Sequence, residues 1–79
     1  MGDIRKTLQQ LITELDDTRL LEGKRYRHKK SGDGFILLFF SFDESTNEKE
    51  AVYCFAHFPR VKFHCPVDHF LEAFEQDHG

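Results

Sequence analysis

Both cysteines of the chain and three of its five histidines fall within sixteen consecutive residues, CFAHFPRVKFHCPVDH. Cys54 and His57 stand three positions apart, and His64, Cys65 and His69 follow after a short gap. Thiolates and imidazoles are the usual ligands of structural zinc, so a metal site is the first chemistry to consider. On a regular strand, however, neighbouring residues and residues three apart point to opposite faces. This geometry separates Cys54 from His57 and His64 from Cys65, and it therefore disfavours a zinc site.

A cysteine nucleophile is the second chemistry to consider. Cys65 directly precedes a predicted helix start at Pro66, and a helix N-terminus lowers the pKa of a thiol. A catalytic site also needs a general base and a group that orients it. His64 faces away from Cys65 on a regular strand, and the sequence fixes no acidic residue that could orient it. We therefore predict a protein that is not an enzyme and that uses no cofactor.

The two cysteines have a simpler interpretation as small buried hydrophobic residues on adjacent strands, because free cysteine is usually buried. Strand alternation predicts that Cys54 and Cys65 share one inward face, and the sequence leaves open whether they are paired. The same alternation predicts that His57 and His64 turn to the other face, where a partner could contact them.

A basic segment at residues 24–30 is the strongest charge feature of the chain: Lys24, Arg25, Tyr26, Arg27, His28, Lys29 and Lys30. Its long charged side chains predict an exposed edge strand. Cations beside an aromatic residue suit phosphate contact and base stacking. The formal net charge of −3 argues against a dedicated polyanion binder. A partner protein with an acidic face could use the same segment, so nucleic-acid binding is kept as the alternative.

The hydrophobic pattern predicts a helix at each end of the chain. An apolar stripe at helical spacing follows Asp3 and predicts a helix over residues 3–17: Ile4, Leu8, Leu11, Ile12 and Leu15. Pro66 suits the first position of a helix, since its missing N–H would have no partner there. Apolar residues follow Pro66 at helical spacing as far as Phe74. Together they predict a short second helix over residues 66–75.

Residues 24–65 between the helices predict an antiparallel sheet of four strands. The basic strand comes first, an apolar run from Phe35 to Phe42 follows, and the last two strands form a hairpin that turns at Pro59-Arg60. An apolar run without alternation predicts a strand covered on both faces, with the N-terminal helix on one of them. The whole is a single α+β domain over residues 1–79, in the order α-β-β-β-β-α, with a partly barrel-like sheet.

The length and composition limit what such a domain can do. A chain of 79 residues buries about 60% of its unfolded surface, and nine phenylalanines supply the core. This excess of aromatic rings predicts an apolar surface that a protein partner or a second copy covers. The sequence shows no secretory signal and no apolar run of about 18–20 residues that would span a membrane. We therefore expect a cytoplasmic protein, with no membrane contact and no small-molecule substrate.

Three short motifs suggest a family: Tyr26-Arg27-His28 after Gly23, Ala51-Val52-Tyr53 after a polar turn at residues 45–48, and Phe63-His64-Cys65-Pro66 before His69-Phe70. They resemble a small bacterial family of unknown function with a Tyr-Arg-His motif and a Trp-Val-Arg-Pro motif followed by a Met-Phe pair. The resemblance covers residues 23–74 and implies a short SH3-like β domain with no known chemistry. Phe63, Cys65 and His69 replace the Trp, Arg and Met of the family, which implies an altered surface at those positions.

These observations predict a non-catalytic binding module that acts through a protein partner or as a homodimer. A module of this kind would regulate or inhibit a larger bacterial or phage machine. The expected binding residues are the basic segment together with His57 and His64, and nucleic-acid binding through the basic segment is the alternative.

Overall fold

The computed structural model describes residues 7–15 and 19–77. Within these residues, two helices and a five-stranded antiparallel sheet form an α+β fold. The elements are α1 (Leu8–Leu15), β1 (Arg25–His28), β2 (Gly34–Phe42), β3 (Lys49–Phe55), β4 (Lys62–Pro66), α2 (Val67–Ala73) and β5 (Phe74–Gln76). The strand order is β4-β3-β2-β1-β5, so the sheet is open, with β4 and β5 at its edges, and the predicted partial barrel is not seen.

The fifth strand corrects two predictions. β1 is not an edge strand, because β5 pairs with it in antiparallel register. The second helix ends at Ala73, since the backbone of Phe74 is extended, with φ −122° and ψ 155°. Phe74 fits the apolar spacing of a helix, which explains the prediction. In the structure Phe74 begins β5, and its ring is buried in the core. The four predicted strands are therefore present, and one short strand joins them.

The core lies between α2 and one face of the sheet, which we call the core face. Its buried residues are Leu20, Tyr26, Phe35, Leu37, Ala51, Val67, Phe70 and Phe74. Aromatic rings hold its centre, where Tyr53 contacts Phe70 and Phe74 with ring centroids 5.2 and 5.1 Å apart. Burial of one such ring stabilises a fold by about 1.5–3 kcal/mol. Phenylalanine supplies three of the eight buried residues of this core.

A β-bulge in β2 decides which side chains leave the core. Leu37 pairs with Tyr53 and Phe39 pairs with Val52, so Leu38 is an extra residue in the ladder. Such an insertion reverses the alternation beyond it. Phe40 consequently packs against the core, whereas Phe39 is 48% exposed on the opposite face, which we call the open face. The prediction that the apolar run is covered on both faces is therefore wrong at Phe39.

The first helix does not supply the predicted cover, because none of the residues in α1 is buried. Leu8 is 73% exposed, and Ile12 and Leu15 also lie at the surface. The Nζ of Lys49 in β3 donates a hydrogen bond to the carbonyl oxygen of Glu14 in α1. The predicted helix over residues 3–17 is confirmed for its central part. Asp3, at the predicted start of this helix, lies outside the described residues.

Candidate functional site

The register between β3 and β4 places the two cysteines on opposite faces of the sheet. Cys54 pairs with Lys62, and Ala51 pairs with Cys65. Because paired residues share a face, Cys65 lies on the core face and Cys54 on the open face. The prediction that both cysteines share one inward face is therefore wrong. Strand alternation gives the faces within one strand, but the register between two strands depends on the turn that joins them. Both cysteines are free; Cys54 is buried and Cys65 is partly buried.

Cys65 is not an activated thiol. Burial raises its pKa, and the nearby carboxylate of Glu50 raises it further, although a hydrogen bond with Tyr53 opposes the shift. The pKa of Tyr53 is raised to about 12, first by burial and then by its neighbour Cys65. The thiol is therefore held protonated, contrary to the lowered pKa that a position before a helix suggests.

The three histidines of the opening cluster are separated in the fold. His57 lies in the exposed turn between β3 and β4, and His69 lies in α2. His64 lies on the exposed strand β4, with its Nδ1 2.7 Å from Oε1 of Glu50. Among residues 7–15 and 19–77, no group of three His, Cys, Asp or Glu side chains is close enough to hold a metal ion.

The residues of the predicted basic segment have different surroundings in the structure. Its two arginines contact acidic residues in β5 and directly after it. The Nε of Arg25 lies 3.2 Å from Oδ2 of Asp77. Arg27 forms a close ion pair with Glu75, and this hydrogen-bonded carboxylate raises the pKa of the Arg27 guanidinium. These pairs lie on the open face and neutralise two of the cations that suggested a phosphate site.

Two further members of the segment are structural. Tyr26 is 4% exposed in the core, and its hydroxyl accepts a hydrogen bond from the Leu21 N–H at 3.0 Å. The His28 ring packs on Phe74 with centroids 5.0 Å apart, and its Nδ1 lies 3.2 Å from the Lys30 N–H. The segment thus presents three exposed lysines at its two ends: Lys24, Lys29 and Lys30.

A different surface, at the β4 edge of the sheet, displays three exposed apolar side chains. Every residue of 57–64 is exposed, and we call this run the β4 edge surface. Phe58 is 69% exposed, and Val61 and Phe63 are 42% and 39% exposed. The Val61 N–H donates to the Phe58 carbonyl at 2.9 Å and closes a turn around Pro59. The exposed rings are thus displayed by an ordered hairpin.

The backbone of β4 offers hydrogen-bonding groups at the sheet edge. The Phe55 N–H donates to the Val61 carbonyl at 3.1 Å, so these two residues form a hydrogen-bonded pair. In an antiparallel ladder such pairs alternate with pairs whose backbone groups point away from each other. Lys62 and His64 occupy the alternate positions, opposite Cys54 and Val52. Their N–H and C=O groups therefore point outwards from the sheet, away from β3.

A shallow groove of about 310 Å³ on the open face adjoins this edge. Its lining residues combine apolar, acidic and basic side chains: Phe39, Ser41, Glu50, Val52, Lys62, Phe63 and His64. The bulge in β2 contributes to the groove because it turns Phe39 to this side. His64 and Phe63 line this groove, whereas His57 lies in the adjoining turn and is not among the lining residues. Because His64 pairs with Val52, it shares the open face with Cys54, so the predicted separation of His64 from both cysteines is not seen.

Sequence reasoning missed these apolar residues, although two signals were present. Residues 51–67 contain no Asp or Glu in a chain that is acidic overall. The same stretch places Phe58, Val61 and Phe63 around a Pro-Arg turn, where exposure follows from the turn itself.

A scan against protein-family models finds no match for the chain. Searches of the curated proteins and of the solved structures also find no match. The resemblance to the bacterial family therefore stays a prediction. In the part of the chain that the structure describes, neither helix is long and apolar enough to cross a membrane.

Proposed function

We propose that the protein is a non-catalytic binding module whose β4 edge surface contacts a protein partner. The observation that carries the proposal is the exposure of Phe58, Val61 and Phe63 on one ordered hairpin. Large apolar side chains clustered in water are typical of interaction sites. Aromatic residues of this kind also dominate the binding energy of protein interfaces. The hairpin therefore presents the side chains that a protein partner would bury.

The open strand edge supports the same proposal. An unpaired edge is a template for another strand, and natural proteins usually cover it or shorten it. Among the described residues, no strand pairs with the outer side of β4. A partner that pairs with the outward groups of Lys62 and His64 would gain backbone hydrogen bonds as well as apolar contact.

A protein partner is favoured over a nucleic acid by the ion pairs of the basic segment. Arg25 and Arg27 contact Asp77 and Glu75, so phosphate binding there would compete with carboxylates that are already in place. Nucleic-acid affinity depends mainly on cations that are free to neutralise phosphates.

A different protein is favoured over a second copy by the charges on β4. Pairing two copies along this edge would bring together two strands that each carry Lys62 and contain no carboxylate. Like charges on adjacent strands are destabilising. A homodimer through this edge is therefore the less favourable assembly.

Site-specific photo-crosslinking tests the proposal. A photoreactive benzoylphenylalanine replaces Phe58 in one variant and Leu8 in a matched control, because these apolar side chains are almost equally exposed, at 69% and 73%. Irradiation in cells of the source organism should give a discrete protein adduct from position 58 that position 8 does not give. Adducts of equal yield from both positions, an adduct with the mass of two copies of this chain, or an adduct with RNA would each overturn the proposal.

A further inference from the structure

We infer that the β4 edge surface receives an extended acidic segment of the partner, which adds to the sheet as a sixth strand with acidic and apolar residues in alternation. This inference rests on the proposed function and specifies the chemistry of the partner. It follows from three features of the edge, namely its backbone groups, the faces of its side chains and its charge.

The backbone groups set where the added strand pairs. Lys62 and His64 direct their N–H and C=O groups outwards, as the register with β3 requires. Pro66 has no N–H and ends the edge on one side, and Pro59 occupies the turn on the other. The edge therefore accepts a short strand of about five residues, a typical strand length.

The faces of the β4 side chains dictate the alternation in the added strand. Lys62 and His64 project to the open face, whereas Phe63 shares the core face with its paired residue Tyr53, and their rings stack 5.5 Å apart. Successive residues of an added strand would alternate between these two environments. One set of its side chains would thus lie beside Lys62, and the other set beside the exposed ring of Phe63.

The charges on the edge indicate which residues of the added strand would lie beside Lys62. Lys62 and Arg60 are exposed cations at this end of the hairpin, and the Lys62 Nζ donates to the Pro59 carbonyl at 2.9 Å. His64 already contacts Glu50, so Lys62 is the main cation available to a cross-strand carboxylate. Opposite charges paired across strands are stabilising. An aspartate or glutamate beside Lys62, flanked by apolar residues beside Phe63 and Val61, fits this edge best.

Fluorescence anisotropy with defined peptides tests the inference on the full chain. The probe is a short labelled peptide in which Asp and Val alternate. The first control peptide groups the same residues by type, and the second is N-methylated on the alternate amides that would face β4. The protein variants are Lys62→Glu and the matched control Lys24→Glu, which reverses an exposed charge away from β4.

The alternating peptide should bind, and the grouped peptide should not. Lys62→Glu should weaken binding by about fivefold, as expected for an exposed charge pair, and Lys24→Glu should not. N-methylation should weaken binding by about tenfold because backbone hydrogen bonds are lost. A peptide of alternating Lys and Val should bind Lys62→Glu more tightly than it binds the unaltered chain.

Equal binding of the alternating and grouped peptides, no effect of N-methylation, or equal effects of the two charge reversals would overturn strand addition. The crosslinking experiment separates this failure from failure of the proposed function. A position-58 adduct without peptide binding would leave the surface as a partner site and reject the acidic strand. The loss of both results would reject both proposals.

Discussion

The rings of Phe70 and Phe74 are stacked with their centroids 4.2 Å apart, although Phe70 lies in α2 and Phe74 begins β5. The Phe74 N–H also donates to the Phe70 carbonyl at the helix end. One residue pair therefore joins the helix that covers the core to the strand that pairs with β1. This relationship places the strand that follows α2 against the same core.

Substitution of Phe70 should unfold the domain more readily than substitution of any exposed phenylalanine. Phe70→Ala removes a side chain with no exposed surface and should lower the free energy of unfolding by about 3–5 kcal/mol. Phe58→Ala removes a phenyl ring from a position that is 69% exposed. It should change the free energy of unfolding by no more than about 0.5 kcal/mol. Chemical denaturation followed by circular dichroism measures both, and similar losses would contradict the assigned core.

The pairing of β5 with β1 should depend on the ion pair between Glu75 and Arg27. Glu75→Lys places like charges opposite each other across the two strands and should lower the melting temperature. The exchanged pair, Arg27→Glu with Glu75→Lys, should restore part of the loss at low salt. Thermal unfolding at two salt concentrations provides the measurement. A double variant as unstable as the single one would show that this ion pair does not hold β5.

Stability should fall in the alkaline range because of Tyr53. Its pKa is raised to about 12 in the folded chain, whereas an unfolded tyrosine titrates near a pKa of about 10. A group with a raised folded pKa contributes its full stabilisation below the unfolded value and loses it as the pH rises towards the folded value. Denaturant midpoints should therefore decline between about pH 10 and pH 12.

Tyr53→Phe keeps the ring and removes the titrating hydroxyl, so it should flatten the part of this decline that Tyr53 causes. Tyr26→Phe is the matched variant, because it removes the other tyrosine hydroxyl of the chain. An unchanged alkaline profile in Tyr53→Phe would exclude Tyr53 as its source.

The two cysteines should resist alkylation and should not form a disulfide with each other. Cys54 is 1% exposed, and burial raises the pKa of Cys65, so both thiols should react with iodoacetamide more slowly in the folded chain than after denaturation. Their positions on opposite faces of the sheet prevent an intramolecular bridge. Mass spectrometry after mild oxidation checks both points, and a Cys54–Cys65 disulfide would contradict the register of β3 and β4.

Four of the five strands and both helices could be predicted from the sequence, because hydrophobic spacing and turn residues mark them locally. β5 could not, since Phe74 fits the apolar stripe of a helix as well as the start of a strand. The contact of the Phe74 ring with Phe70 in α2 and the ion pair of Glu75 with Arg27 in β1 favour the strand. Those contacts are part of the tertiary structure, so no local sequence pattern indicates them.

The candidate site was predicted in part. Strand alternation predicted that His57 and His64 share one face, away from both cysteines. In the structure His64 shares the open face with Cys54, and His57 lies in the turn between β3 and β4. The exposure of Phe39 depends on the bulge after Leu37, and the faces of the cysteines depend on the hairpin register. A one-residue change in register reverses every later side chain, so alternation alone could not settle either point.

Amide hydrogen exchange at Lys62 and His64 tests the open β4 edge most directly. In the free chain, these two amides should exchange quickly, while those of Phe63 and Cys65, which face β3, should be protected. Saturation with the alternating Asp-Val peptide should slow exchange at Lys62 and His64 selectively. Protection of Lys62 and His64 in the free chain, or no change at saturation, would contradict an open edge that receives a partner strand.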